Sequence, residues 1–159
     1  MKAKKIILTL ITMLTIVALN QRKSFAHCEI PCGIYEDTLR IELIKEHITT
    51  IEKSMNMIIE LSEAETPNYN QIVRWVVNKD EHAKKLQDIV SQYFMHQRIK
   101  PVSPENEEMY EKYIERLTLL HELLVYAMNA KQTTDLAYID KLNKTINAFE
   151  KSYFHTHEH

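Results

Sequence analysis

The chain has a single glycine, Gly33, and four prolines in 159 residues, so few tight β-turns are available to it. It also lacks any alternating run of β-branched residues, which argues against strands and hairpins. Cysteine is nearly absent, with Cys28 and Cys32 the two in the chain. There is no internal repeat, no low-complexity segment and no basic tract. The first 26 residues hold five of the 20 Lys and Arg residues and none of the 22 acids. The remainder therefore carries 15 bases against 22 acids, a formal charge of −7. Nucleic acid is not an expected partner of so acidic a chain. An anionic substrate would need a local positive region to offset the overall field.

Those 26 residues read as a secretory leader. Lys2, Lys4 and Lys5 precede an apolar run from Ile6 to Leu19, and Ser24 and Ala26 stand three and one positions before the expected cut. The apolar run is interrupted by threonines and is shorter than the roughly 20 residues a spanning helix needs, so an uncleaved membrane anchor is the weaker reading. Residues 1–26 are expected to be a signal peptide removed by signal peptidase. Residues 27–159 would then be one exported domain, periplasmic or extracellular and no longer held at the membrane. A chain of 133 residues can bury its own core.

Beyond Tyr35 the apolar residues recur at steps of three and four. Leu39, Leu43, Ile44, Ile48, Ile51, Met55, Ile58 and Ile59 predict a first helix. Thr66-Pro67 predicts the N-cap and first turn of a second. Its stripe is Ile72, Val73, Val76, Ala83, Leu86, Ile89, Val90, Tyr93 and Phe94. Lys100-Pro101 stops it, and Ser103-Pro104-Glu105 predicts a third start, followed by Met109, Tyr113, Leu117, Leu120, Leu124 and Ala127. After a polar connection at 130–134, Leu136, Ile139, Leu142, Ile146, Phe149 and Tyr153 predict a fourth. The expected fold is all-α, an antiparallel four-helix bundle. Its aromatic residues, Trp75, Tyr93 and Phe94 among them, are core by default.

What the chain does have is a dense ligand cluster where the leader ends. Residues 27–35 read His-Cys-Glu-Ile-Pro-Cys-Gly-Ile-Tyr. Cleavage after Ala26 would give His27 a free amine. That amine, the Cys28 amide nitrogen and the Cys28 thiolate can close fused chelate rings on one ion. Pro31 bends the chain so that Cys32 can bring its sulfur to a fourth corner, leaving the His27 imidazole to approach from above. Two nitrogens and two sulfurs in a plane suit Ni(II) or Cu(II) and are poor for tetrahedral Zn(II). The competing reading is a Cys28–Cys32 disulfide, ordinary for an exported protein but closing only a very small loop.

His27-Cys28-x-x-Pro31-Cys32-Gly33-x-Tyr35 resembles the hook of the nickel superoxide dismutase family at every fixed position of H-C-x-x-P-C-G-x-Y. The similarity continues through Arg40-Ile41-Glu42. The resemblance implies a homohexamer of four-helix bundles with one nickel ion per subunit. The implied reaction disproportionates superoxide to oxygen and hydrogen peroxide by Ni(III)/Ni(II) cycling. His27, Cys28 and Cys32 would be the metal ligands. Tyr35 would stand over the open axial face, and Glu42 would hydrogen-bond the His27 imidazole. Tyr93 resembles a second family tyrosine near the metal. Three departures stand out. The segment between Tyr35 and Arg40 is one residue shorter. Met95 follows Tyr93-Phe94 where a lysine is expected, and Asn78 stands where the second helix would carry an arginine, with Arg74 one turn away.

The remaining histidines form no obvious set. His155, His157 and His159 make a tail that could capture metal, although a frayed polar terminus is the simpler reading. His47, His82, His96 and His121 are dispersed over three helices and read as surface or boundary residues. Two other functions compete with the dismutase. One is an exported nickel or copper carrier without turnover. The other is a disulfide-bearing helical interaction protein.

Overall fold

The computed structural model describes Met13 and residues 30–154. Residues 31–154 belong to one compact unit, and of residues 1–30 only Met13 and Ile30 are described. The expected leader, its cleavage site, His27, Cys28 and the histidine tail lie outside the described residues. Among residues 30–154 four α-helices run in order: α1 (Asp37–Glu63), α2 (Tyr69–Asp88), α3 (Glu107–Gln132) and α4 (Ala137–Phe154). The segment Ile89–Arg98 continues α2 as a π-helix. The all-α expectation holds, with no strand among the described residues. None of these helices is long and apolar enough to cross a membrane.

Cross-links between helices give their directions. His47 meets His82 and Ser54 meets Asn78, so α1 and α2 run in opposite senses. Gln87 donates to the Leu124 carbonyl and Lys79 to the Ala130 carbonyl, which makes α2 and α3 antiparallel. Asp37 is bonded to Tyr153, and Lys45 pairs with Glu150, so α4 returns antiparallel to α1. Each helix packs on its chain neighbour, and α4 closes the ring against α1.

The core follows the predicted stripes, with shifts at the helix ends. Ile44, Ile48, Ile51, Met55, Ala83, Leu86, Val90, Phe94, Leu120, Ala127, Leu142, Ile146 and Phe149 are fully buried. Ile41, Leu123 and Ala130 join them, although the stripes did not include them. Leu39, Val73, Val76, Met109 and Leu136 are exposed, because each sits where its helix has turned its apolar face away or has yet to begin. Trp75 is a correction as well. It lies half-buried at the side of the α1–α2 pair, with the Lys53 ammonium 5.9 Å from its ring centre.

Both proline-marked starts move by a few residues. The N-cap of α2 is Asn68, whose side chain accepts from Gln71 N at 3.2 Å; Thr66 and Pro67 precede the helix. The N-cap of α3 is Asn106, accepting from Met109 N at 3.3 Å. Ser103 instead closes the turn before it, taking the Asn106 N–H on its carbonyl at 3.1 Å. Helix α3 runs on to Gln132, so the connection to α4 is shorter than the sequence suggests. Lys79, one turn beyond the exposed Val76, is the buried residue of that part of α2. Its ammonium donates to the carbonyls of Ala130 at 2.8 Å, Lys131 at 2.5 Å and Thr133 at 3.2 Å. A cation satisfies the end carbonyls of α3 and opposes the negative end of its dipole.

Candidate metal centre

The described part of the hook begins with a tight turn. Ile34 N donates to the Pro31 carbonyl at 2.8 Å, and Gly33 holds φ +80°. Among the described residues, only this glycine takes the left-handed region, where a side chain would strain the turn. The turn presents Cys32 as a free, exposed thiol. An exposed sulfur on a hydrogen-bonded turn fits a thiolate ligand, the role expected of Cys32. His27 and Cys28, the other expected ligands, precede the described residues, so the ligand set is not seen together.

Tyr35 is held from two sides. The Arg98 guanidinium lies over its ring at 4.3 Å, and the Tyr93 ring meets it edge-on with centroids 5.9 Å apart. Tyr35 stays 38% exposed, so its ring forms part of the surface beside the hook turn. The sequence pair Tyr35 and Tyr93 is therefore brought together, 58 residues apart in the chain.

Beneath them is a knot centred on Asp37, which sequence reasoning did not single out. The Asp37 carboxylate accepts from Arg98 Nε at 2.8 Å and Nη2 at 2.6 Å, a bidentate pair. It also accepts from the hydroxyls of Tyr93 at 2.6 Å and Tyr153 at 2.8 Å. The Tyr93 hydroxyl in turn accepts the Glu36 N–H at 2.8 Å. The Glu36 side chain makes no capping bond at the start of α1, so Tyr93 satisfies that end of the helix instead. Burial pushes the Asp37 carboxyl up, but hydrogen bonds from Arg98, Tyr93 and Tyr153 outweigh it and hold it below the usual range. Burial, then the bond to Asp37, pushes both Tyr93 and Tyr153 to about 12.

The π-helix explains how Tyr93 and Arg98 both reach Asp37. At 3.6 residues per turn, positions five apart would lie about 140° apart around an α-helix. The π winding bonds residue i to i+5 and brings such positions onto one side. The bond from Ile99 N to the Phe94 carbonyl, 2.9 Å, is one such link. Phe94 below the knot touches Phe149 and Tyr153 edge-on, centroids 5.0 and 5.6 Å apart, so the aromatic floor is packed as well as bonded.

Glu42 and the three departures fall into place differently. Glu42 accepts from Lys45 at 3.0 Å, its side chain is 59% exposed, and Lys45 also pairs with Glu150 at 2.8 Å. Its expected partner, His27, lies outside the described residues. Met95 packs partly buried against the core. Asn78 donates to Ser54 Oγ at 2.9 Å, a link within the α1–α2 pair. Arg74 is exposed. Positive charge beside the two tyrosines comes instead from Arg98 and from Arg40, whose guanidinium lies over Tyr93 at 5.0 Å. Arg40 Nε is buried without a hydrogen-bond partner among the described residues, whereas Arg98 is paired with Asp37.

The histidine reading needs correction. His47 is buried, and its Nδ1 lies 3.1 Å from Nδ1 of His82, so two of the dispersed histidines form a pair between α1 and α2. Burial holds both rings below the usual imidazole range, with His82 adding to the effect on His47 and Lys85 to that on His82. His96 and His121 are exposed, as expected.

The family model for nickel-containing superoxide dismutase matches residues 22–157. No curated protein and no solved structure matches the chain. That match spans the hook turn, the Asp37 knot and all four helices, and the chain belongs to the nickel-containing superoxide dismutase family.

Proposed function

We propose that this nickel superoxide dismutase is exported, and that removal of residues 1–26 completes its metal site. The amine of His27, the amide nitrogen and thiolate of Cys28 and the thiolate of Cys32 would hold one nickel ion per subunit, and the His27 imidazole would be a further nitrogen donor. Bound there, nickel supplies a one-electron couple between Ni(III) and Ni(II), stabilised by anionic nitrogen and sulfur donors. The observation that carries the reading is Tyr35, pinned by Arg98 and Tyr93 at the end of the turn that bears Cys32.

Each protein group has a separable task. Tyr35 borders the approach to the hook and orders an incoming superoxide or a water. Tyr93 is a positioning residue, because its hydroxyl is committed to Asp37 and Glu36 and its proton is held to about 12. Arg40 supplies the local positive charge that residues 27–159, of formal charge −7, need in order to receive an anion, while Arg98 is paired with Asp37 and holds Tyr35. Glu42 would restrain the His27 imidazole by exchanging its exposed lysine contact for a bond to the ring.

Family resemblance supports a homohexamer, and the leader pattern supports processing by signal peptidase into a periplasmic or extracellular setting. Intact mass and nickel content of the mature protein test the proposal together. A chain beginning at His27 with one nickel per subunit is expected; a different N-terminus with full activity would overturn it. Nickel bound without superoxide turnover would favour the carrier instead.

A further inference from the structure

His47 and His82 play no part in the hook or in the Asp37 knot, yet they are set against each other across α1 and α2. Their Nδ1 atoms are 3.1 Å apart and their rings meet at 77°. We infer that this pair is a second metal site, taking a borderline divalent ion such as copper(II) or zinc(II) through the two Nδ1 atoms and completing its shell with water.

The spacing is the main argument. Two imidazole nitrogens bound at about 2.0–2.1 Å lie about 2.9 Å apart for a right-angled pair and about 3.3 Å apart for a tetrahedral one. The observed 3.1 Å would subtend about 98° at a shared ion with those bond lengths. Without metal, one Nδ1–H donates to the other ring's lone pair. Binding needs both Nδ1 lone pairs, so the donating ring moves its proton to Nε2 and both neutral rings turn an Nδ1 lone pair to the ion.

Position favours the exchange. The pair joins two helices already fixed by Asn78 and Ser54, bonded at 2.9 Å, so the ligands are preorganised. His47 is buried while His82 is only partly buried, so solvent reaches the pair from the His82 side. Glu46 and Glu81 favour a cation near the rings, and Lys85 opposes it. Among the described residues no third His, Cys, Asp or Glu completes a cluster, so the site is a two-residue chelate that pins α1 to α2.

The test uses the mature, nickel-loaded protein with His155, His157 and His159 replaced by Asn, so that the tail cannot compete. Copper(II) chloride is titrated in, and binding is followed calorimetrically and by electron paramagnetic resonance. One additional copper per chain with hyperfine structure from two nitrogens is expected. His82→Asn and His47→Gln should each weaken binding at least tenfold, and His82→Asn should leave superoxide turnover unchanged. Zinc should raise the melting temperature of the parent and not of His82→Asn. Affinity unchanged by His82→Asn, or no copper beyond the hook at millimolar metal, would overturn the inference, even if His47→Gln failed to fold.

Discussion

Replacing Asp37 by Asn should be the most informative single change outside the metal ligands. The carboxylate accepts four hydrogen bonds, two from Arg98 and one each from Tyr93 and Tyr153. An asparagine can accept at its one oxygen, while its NH2 faces donors. Arg98 is then left partly buried without its counter-charge. Losing one partner of a fully buried pair costs about 3–5 kcal/mol, whereas an exposed pair contributes about 0–1. The Asp37 and Arg98 side chains are 17% and 27% exposed, between those limits, so a loss of about 2–3 kcal/mol is expected. For a domain of this size each kcal/mol shifts the melting temperature by roughly 4 °C, giving a fall of about 8–12 °C. Thermal and urea denaturation of the metal-free protein would measure it, and a double-mutant cycle with Arg98→Gln would isolate the pair. Superoxide turnover should also drop, because Tyr35 loses the platform under its ring. A stability change below about 0.5 kcal/mol would refute the claim that the knot organises this end of the bundle.

Four further outcomes follow from the same geometry. Cys28→Ser or Cys32→Ser should abolish both nickel binding and activity, read by metal analysis and superoxide consumption; full activity in either would remove the ligand assignment. Arg40→Gln should lower kcat/KM roughly three- to tenfold at low ionic strength and much less at high salt, since it removes a steering charge; equal loss at both would point to a structural role. Acid titration should reveal a contribution from Asp37, whose lowered value means stability is present above its ordinary 3.8 and lost as pH falls through the folded value; that limb should vanish in Asp37→Asn. Alkaline titration runs the other way. Tyr93 and Tyr153 are raised to about 12, so the stability from their neutral hydroxyls is complete below 10 and lost between 10 and 12, followed by tyrosinate absorbance.

The bundle was legible because burial on one side of an α-helix imposes a period, and Ile44, Ile48, Ile51 and Met55 carry it without interruption. The starts of α2 and α3 were less so. Proline marked the approach to each helix, but the asparagine just beyond it makes the cap. The hook was visible because its residue types and spacing are rare together. Its support was not. Asp37 and Arg98 look like surface charges until a π-helix brings positions five apart onto one side, and no α-periodic reading contains that change of winding. The His47–His82 pair was hidden for a related reason. Its members are 35 residues apart, and their contact depends on the register between α1 and α2 rather than on either helix alone.

The central claim is that nickel sits at the processed N-terminus, held by His27, Cys28 and Cys32. Electron paramagnetic resonance of the mature, nickel-loaded, oxidised protein tests it most directly. A rhombic Ni(III) signal split by one axial nitrogen, with that splitting lost in His27→Gln, is the predicted result. An active, nickel-loaded protein without that signal would contradict the account.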